Sequence, residues 1–260
     1  MNSIWKYRKY IWDNSISELK NRYAGSSLGA VWNVLQPLFQ ILIFTYIFSQ
    51  VMIAKLPNME SSSAFAIYLC AGLIPWISFS DIIVRGSNVF LANSTYLKKL
   101  AIPEYIFMLQ ISLTSTIILF ISMGLLFFIV MILGQTVTLL WFLTPIILLM
   151  FIIFATGIAF IFASINVFFK DVGQFLVSFI QIWMWLTPIV YIKELLPYNF
   201  INIINYNPVY YFIDSLQQII VYSKFPVLSN WTIMIVVTFF SFVLGILVLK
   251  ILRSEIRDVI

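Results

Sequence analysis

Six stretches of the chain run almost without charge, at about 33–53, 65–84, 105–133, 139–168, 174–192 and 232–250. A helix needs about 20 mainly apolar residues to cross roughly 30 Å of hydrocarbon, and each stretch comes close to that length or exceeds it. From Tyr105 to Phe169 there is no Asp, Glu, Lys or Arg, and only Gly134-Gln135-Thr136 breaks the run. That break predicts two spans joined as a tight helical hairpin. Barrel strands would alternate apolar and polar residues over about ten positions, and no segment does so. The expected fold class is therefore all-α integral membrane protein, with six transmembrane helices.

Two further segments read as helices that do not span. Over residues 3–23, Trp5, Trp12, Ile16, Leu19 and Tyr23 recur on one helical face, while Lys6, Lys9, Asp13 and Lys20 fall mostly on another. This pattern predicts an N-terminal amphipathic helix lying at the membrane interface or docked on a partner protein. The second segment, 193–231, holds two short apolar pieces separated by Asn205-Tyr206-Asn207-Pro208. Asn207 suits an N-cap and Pro208 a first helical residue, which predicts a helix from Pro208 to about Tyr222. Pro197 can open the preceding one. Two such helices before the last span read as a re-entrant hairpin, whose turn must be shielded by protein or face water.

Composition agrees with a bilayer environment. Hydrophobic residues make up 62% of the chain and charged residues 10%, with a mean hydropathy of +1.01. Soluble domains carry about a quarter charged residues. The net charge of +5 could attract nucleic acid or anionic lipid. However, the cations sit in short loops between apolar runs, as a topology signal does, so no nucleic-acid partner is expected. Lys6, Arg8, Lys9, Lys20, Arg22, Arg85, Lys98, Lys99, Lys170, Lys250, Arg253 and Arg257 fall on one side of the six-span scheme, against Lys55, Lys193 and Lys224 on the other. Both termini are thus expected in the cytoplasm. The chain reads as one transmembrane domain, 1–260. Its cytoplasmic interface segment covers 1–30 and spans one to five 33–192. The outer loop is 193–231, the last span 232–250 and the tail 251–260. The charged, aromatic N-terminus does not read as a cleavable signal peptide, and no internal repeat is visible.

Catalytic chemistry finds little support. The nine glycines form no Gly-x-x-x-x-Gly-Lys-Ser/Thr string, so this chain is not expected to cradle nucleotide phosphates in that way. Histidine is absent and Cys70 is the lone cysteine, which leaves no His-based catalytic set and no metal cluster of those ligands. Asp81 and Arg85 are four apart in the second span and can pair there, as a structural ion pair or as a functional intramembrane group. Asp214 and Asp171 read as capping or solvated residues. Aromatic residues reach 18%. Phe44, Phe48, Phe179, Trp183 and Trp185 lie within spans, where rings either face lipid and core or stack on the C–H faces of sugars.

One stretch narrows the choice. Leu19 to Trp32 reads LKNRYAGSSLGAVW and continues through NVLQP, with Arg22, Tyr23, Ser26, Leu28, Gly29, Trp32 and Pro37 at its marked positions. It resembles the membrane subunits of ABC-2 type polysaccharide exporters, which move O-antigen, teichoic acid or capsule. Further resemblances follow in order: LIPWISF (73–79), LKKLAIP (97–103), NVFFKDV (166–172), TPIVY (187–191) and Asn207-Pro208.

The resemblance implies a transport subunit rather than an enzyme, in the bacterial plasma (inner) membrane. It implies a homodimer docked on two copies of a cytoplasmic ABC ATPase, which would hold the ATP and Mg; no cofactor is expected on this chain. Arg22, Tyr23, Ser26 and Trp32 would form the entry gate for a polyprenyl-pyrophosphate-linked polysaccharide, with Arg22 either pairing with phosphate or snorkelling as a topology residue. The five mid-span aromatics would line the glycan channel. Tyr96, Lys98, Lys99, Pro103 and Asp171 would couple to the ATPase. Two other readings stay open: an ABC exporter of drugs or lipids, and a membrane-embedded transferase acting on polyprenyl-linked sugars.

Overall fold

The computed structural model describes residues 2–48, 63–100, 102–193 and 196–259. Their elements are α1 (Asn2–Asn21), α2 (Trp32–Tyr46), α3 (Ala64–Ser87), α4 (Val89–Ala92), α5 (Ser94–Lys99) and α6 (Tyr105–Ile132). There follow α7 (Thr144–Asn166), α8 (Asp171–Trp185), α9 (Tyr198–Asn205), α10 (Pro208–Ile220) and α11 (Leu228–Val259). A 3₁₀ turn, Leu139–Leu143, leads into α7, and no strand occurs among the described residues. The end of the first expected span and the loop carrying Lys55 lie outside those residues.

Among the described residues, four helical segments are long and apolar enough to cross a membrane: α3, α6, Leu139–Asn166 and α11. The expected hairpin is present, with Gly134 at φ +70° in its turn. The first expected span is described only as far as residue 48, and the fifth is shorter than expected. Each yields an α-helix of 15 residues, about 22 Å long. α8 stops at Trp185 instead of running to Ile192 because Pro188 disfavours helix at Thr187 before it. In the expected tail, α11 has no Gly or Pro after Gly245 and continues unbroken to Val259, so 251–259 is helix.

α3 is the central helix, with 72% of its apolar window buried, whereas α11 buries 22% and turns most of its surface outward. Lipid is as apolar as Leu, so packing quality rather than water exclusion holds such helices together. Phe79 of α3 stacks on Phe151 of α7 at 4.7 Å between ring centres, and Phe212 of α10 lies 4.9 Å from Phe151. α7 and α11 cross on glycines. A Cβ built on Gly157 would lie 2.5 Å from the Phe242 backbone nitrogen, and one on Gly245 would lie 2.4 Å from the Gly157 carbonyl oxygen.

The two short helices before α11 start as the sequence predicts. Asn207 Oδ1 accepts from the Val209 N–H at 3.1 Å, Pro208 opens α10, and Pro197 precedes α9. α1 packs against α6, but not through the whole face the spacing picked. Ile11, Ser15 and Leu19 are buried, while Trp5 and Trp12 are exposed. The inward stripe therefore follows i, i+4, i+8 through a serine, whose hydroxyl donates to the Gln110 carbonyl at 3.1 Å.

Candidate functional site

The turn between α1 and α2 brings the four expected gate residues together. Gly25 (φ +91°) and Gly29 (φ +48°) adopt left-handed backbone that L side chains rarely take, and they fold the chain back on itself. Trp32 Nε1 donates to Ser26 Oγ at 2.9 Å, and its ring lies 6.5 Å from that of Tyr23. The Tyr23 hydroxyl donates to Gln36 Oε1 at 2.5 Å. Buried Asn33 donates to the carbonyls of Leu19 and Ala30 at 2.9 and 3.0 Å, fastening α2 to the end of α1.

Arg22 reaches a charge cluster built from three helices. Arg85 Nε lies 3.1 Å from Asp81 Oδ1, so the expected i,i+4 pair on α3 is present. Glu18 of α1 also pairs with Arg85 and accepts from Gln110 at 3.3 Å and Thr114 at 3.2 Å. Ser115 donates to Asp81 Oδ2 at 2.5 Å. Arg22 itself stands 3.9 Å from Asp81 Oδ2, the loosest ion pair among the described residues. No role was expected for Glu18. Its only signal is its position one helical turn before Arg22, on the face of α1 that meets α6.

Two spaces adjoin this cluster. An open cleft of 480 Å³ is lined by Glu18, Asn21, Arg22, Arg85 and Gln110. A smaller cavity of 120 Å³ runs from Arg22 and Tyr23 between α2, α3 and α6, past Asn33, Gln36 and Gln40. The side-chain oxygen of Asn33, Oδ1, buried there, makes no hydrogen bond among the described residues. A polar path thus leads from the arginines into the helix bundle.

The five expected channel aromatics divide. Phe44 and Phe48 on α2 stand 6.4 Å apart, and Phe48 reaches Phe65 of α3 at 5.2 Å. Phe179 lies between Phe175 at 5.7 Å and Trp183 at 5.3 Å on α8. Trp183 is packed edge-on against Trp76 and Phe79, and its indole N–H donates to Asn207 Oδ1 at 3.0 Å, so it braces the α8–α10 corner. Trp185 is 62% exposed. Sequence reasoning passed over the polar residues interleaved with these rings. Gln174, Ser178 and Gln181 are exposed on α8, as is Gln36 on α2.

The expected coupling residues lie at the same end of the bundle as α1. Leu97 is buried and anchors α5, leaving Tyr96, Lys98 and Lys99 exposed. Asp171 is exposed in the first turn of α8. Behind it, buried Asn166 donates to the Ser87 carbonyl at 3.0 Å and to Asn88 Oδ1 at 3.1 Å, and accepts from the Gly173 N–H at 2.8 Å. Next to Pro103, Glu104 is 1% exposed. Arg253 donates to it at 2.9 Å, Arg257 pairs with its other oxygen, and Arg257 also donates to the Ile102 carbonyl at 3.1 Å. The end of α11 thereby clamps the segment after α5. At the opposite end Tyr211 donates to the Asn205 carbonyl at 2.7 Å, and burial, then the Asp214 charge, holds its phenol above the usual range.

Comparison with known proteins places this geometry. Residues 11–221 match the family model of the ABC-2 type transporter. The O-antigen export system permease protein RfbA of Klebsiella pneumoniae is 31% identical over 192 residues, which cover 74% of this chain and 72% of that protein. The protein of the same name from Myxococcus xanthus is 28% identical, covering 74% and 71%. The polysialic acid transport protein KpsM of Escherichia coli is 24% identical over 78% of each chain. Having apolar helices long enough to cross a bilayer several times and a family match over most of its length, the chain belongs to the ABC-2 type transporter membrane family.

Proposed function

We propose that this chain is the permease subunit of an ABC transporter exporting a lipid-linked polysaccharide, O-antigen in type, across the bacterial plasma membrane. A separate cytoplasmic ATPase drives it. In this reading the chain crosses six times with both termini inside, α2 and α8 supplying the first and fifth crossings, and works as a homodimer. α9 and α10 form a re-entrant hairpin at the outer end.

The structural observation that carries the reading is the mixed face of α8, where exposed Gln174, Ser178 and Gln181 alternate with exposed Phe175, Phe179 and Trp185. Amides and hydroxyls facing hydrocarbon are costly. Rings interleaved with amides suit a glycan, which offers flat C–H faces and hydroxyls together. A drug- or lipid-exporting channel has no need of that mixture. The relatives named as O-antigen and polysialic acid transporters agree with it.

The gate geometry supplies a mechanism. Arg22 is held only loosely by Asp81, which retains Arg85 and Ser115 when Arg22 leaves. A pyrophosphate carries more charge than one carboxylate and can take Arg22 by charge-assisted hydrogen bonds. The glycan then follows the polar path beside Gln36 and Gln40 and passes between the two copies unaltered. Exposed Tyr96, Lys98, Lys99 and Asp171 would meet the ATPase, and Pro103 would hinge α5 to α6. ATP and Mg belong to that partner.

The test is deletion and restoration in the native host. Loss of the chain should strand lipid-linked glycan in the inner leaflet, and restoring it with its ATPase should bring glycan to the cell surface. Normal surface glycan without this chain would overturn the proposal, and failure of any ATPase subunit to co-purify would count against its engine.

A further inference from the structure

A cavity of 290 Å³ lies between α6 and α7 beside their hairpin turn. It sits towards the end of α6 away from Gln110 and Thr114, where α1 is attached. None of the residues given above to the gate, the channel or ATPase coupling lines it. One wall is a single face of α6, formed by Phe120, Met123, Gly124 and Phe127. Gly124 holds that wall open, since a Cβ built on it meets nothing within 4 Å. Phe120 is exposed beside it.

The end nearest the turn is polar. Thr138, Trp141 and Thr144 line it just before, within and just after the 3₁₀ turn Leu139–Leu143. Thr138 Oγ1, Trp141 Nε1 and Thr144 Oγ1 are buried and have no hydrogen-bond partner among the described residues. Trp141 is only 8% exposed and Thr144 5%. Most buried polar groups in folded proteins are paired, and an unpaired one is destabilising. An indole N–H can only donate and a hydroxyl can donate, so the partner that suits all three is an acceptor. No Lys or Arg is among the described residues lining the cavity, which favours a neutral acceptor over a phosphate.

Polarity in the cavity runs along the helix axis. Its unpaired groups lie at the turn, whereas Phe120 lies about 18 Å back along α6 from Ile132. An ester-linked lipid has the same order, with carbonyls at the edge of the hydrocarbon and chains running inward. We infer that this cavity holds an acyl chain of a glycerolipid, whose ester carbonyl accepts from the Trp141 N–H while the chain lies over Gly124 between Phe120 and Phe127. The inference needs α6 and α7 to cross the bilayer and does not depend on what the permease exports. A polyprenyl phosphate joins its hydrocarbon directly to a charged group and brings no neutral carbonyl.

The experiment titrates lipids onto the full chain in detergent micelles and reads bound lipid and oligomeric state together by native mass spectrometry. The probes are dioleoyl phosphatidylcholine, its dialkyl ether analogue without carbonyls, and undecaprenyl phosphate. The ester lipid should bind at least about five-fold tighter than the ether lipid, the scale of one hydrogen bond. Trp141→Phe keeps a ring against Phe127, 5.2 Å away, and should bring the two lipids within about two-fold. Gly124→Leu fills the cavity from an open position and should weaken the ester lipid at least about five-fold, with the thermal midpoint of the lipid-free chain unmoved. Gly124→Leu also tests the site where Trp141→Phe does not fold. Equal binding of ester and ether lipids would overturn the inference, since a water or bare hydrocarbon in the cavity is indifferent to that change. So would a preference that survives Trp141→Phe, or undecaprenyl phosphate binding as tightly as the ester lipid. Loss of dimer in Gly124→Leu would assign the cavity to a second copy of the chain instead.

Discussion

Arg22 shows what a single side chain can and cannot reveal before its neighbours are known. A cation just before a span reads equally as a topology residue and as a phosphate ligand. Its surroundings favour the ligand role, because it borders a polar cleft and is held by only one acid, at 3.9 Å. Arg22→Ala is therefore expected to cut export at least about ten-fold, the scale of one lost charge-assisted contact, with the amount of membrane-inserted protein unchanged. Arg22→Lys should keep part of the activity. Unchanged export in Arg22→Ala, measured by surface glycan, would return the residue to a topology role. The Asp81–Arg85 pair was legible from a spacing of four on one helix. Glu18 and Glu104 were not, because their partners lie 67 and 149 or more residues away along the chain, and no local periodicity reports contacts of that range.

At the scale of elements, apolar run length located α3, α6, α7 and α11 well, since hydrocarbon thickness sets that length directly. It overran α8, where Thr187-Pro188 outweighs the hydrophobicity of the residues beyond. It missed the helical tail, because the charges of 251–258 end a membrane span without ending a helix. Close helix crossings were equally hidden, since nine glycines look alike in a sequence. Gly157→Ala places a methyl group 2.5 Å from the backbone of α11 and is expected to cost about 1–3 kcal/mol, seen as a lower thermal midpoint or lost expression. Gly124→Ala on α6 meets nothing within 4 Å and should be neutral or stabilising by up to about 1 kcal/mol. Equal effects of the two would contradict the α7–α11 packing. The mixed face of α8 makes a different forecast. Changing Gln174 and Gln181 together to Leu should slow glycan export several-fold without lowering stability, because both side chains are exposed. Export that continues at the normal rate would mean that this face meets lipid.

For the whole molecule, the account places the gate and coupling residues at one end of the bundle and the α9–α10 pair at the other. α3 alone is about 36 Å long, with Arg85 near one end and Tyr68 near the other, about 26 Å apart. In the proposed reading the distribution of Lys and Arg puts the first end in the cytoplasm, where the ATPase partner would have its nucleotide. Every step proposed here depends on that assignment, and it can be measured directly. Lys98→Cys puts a thiol on the exposed face of α5, while the native Cys70 is buried in α3. A membrane-impermeant maleimide should label this variant in inside-out vesicles and leave it unlabelled in right-side-out vesicles. Labelling from the outer face of sealed right-side-out vesicles would contradict the account.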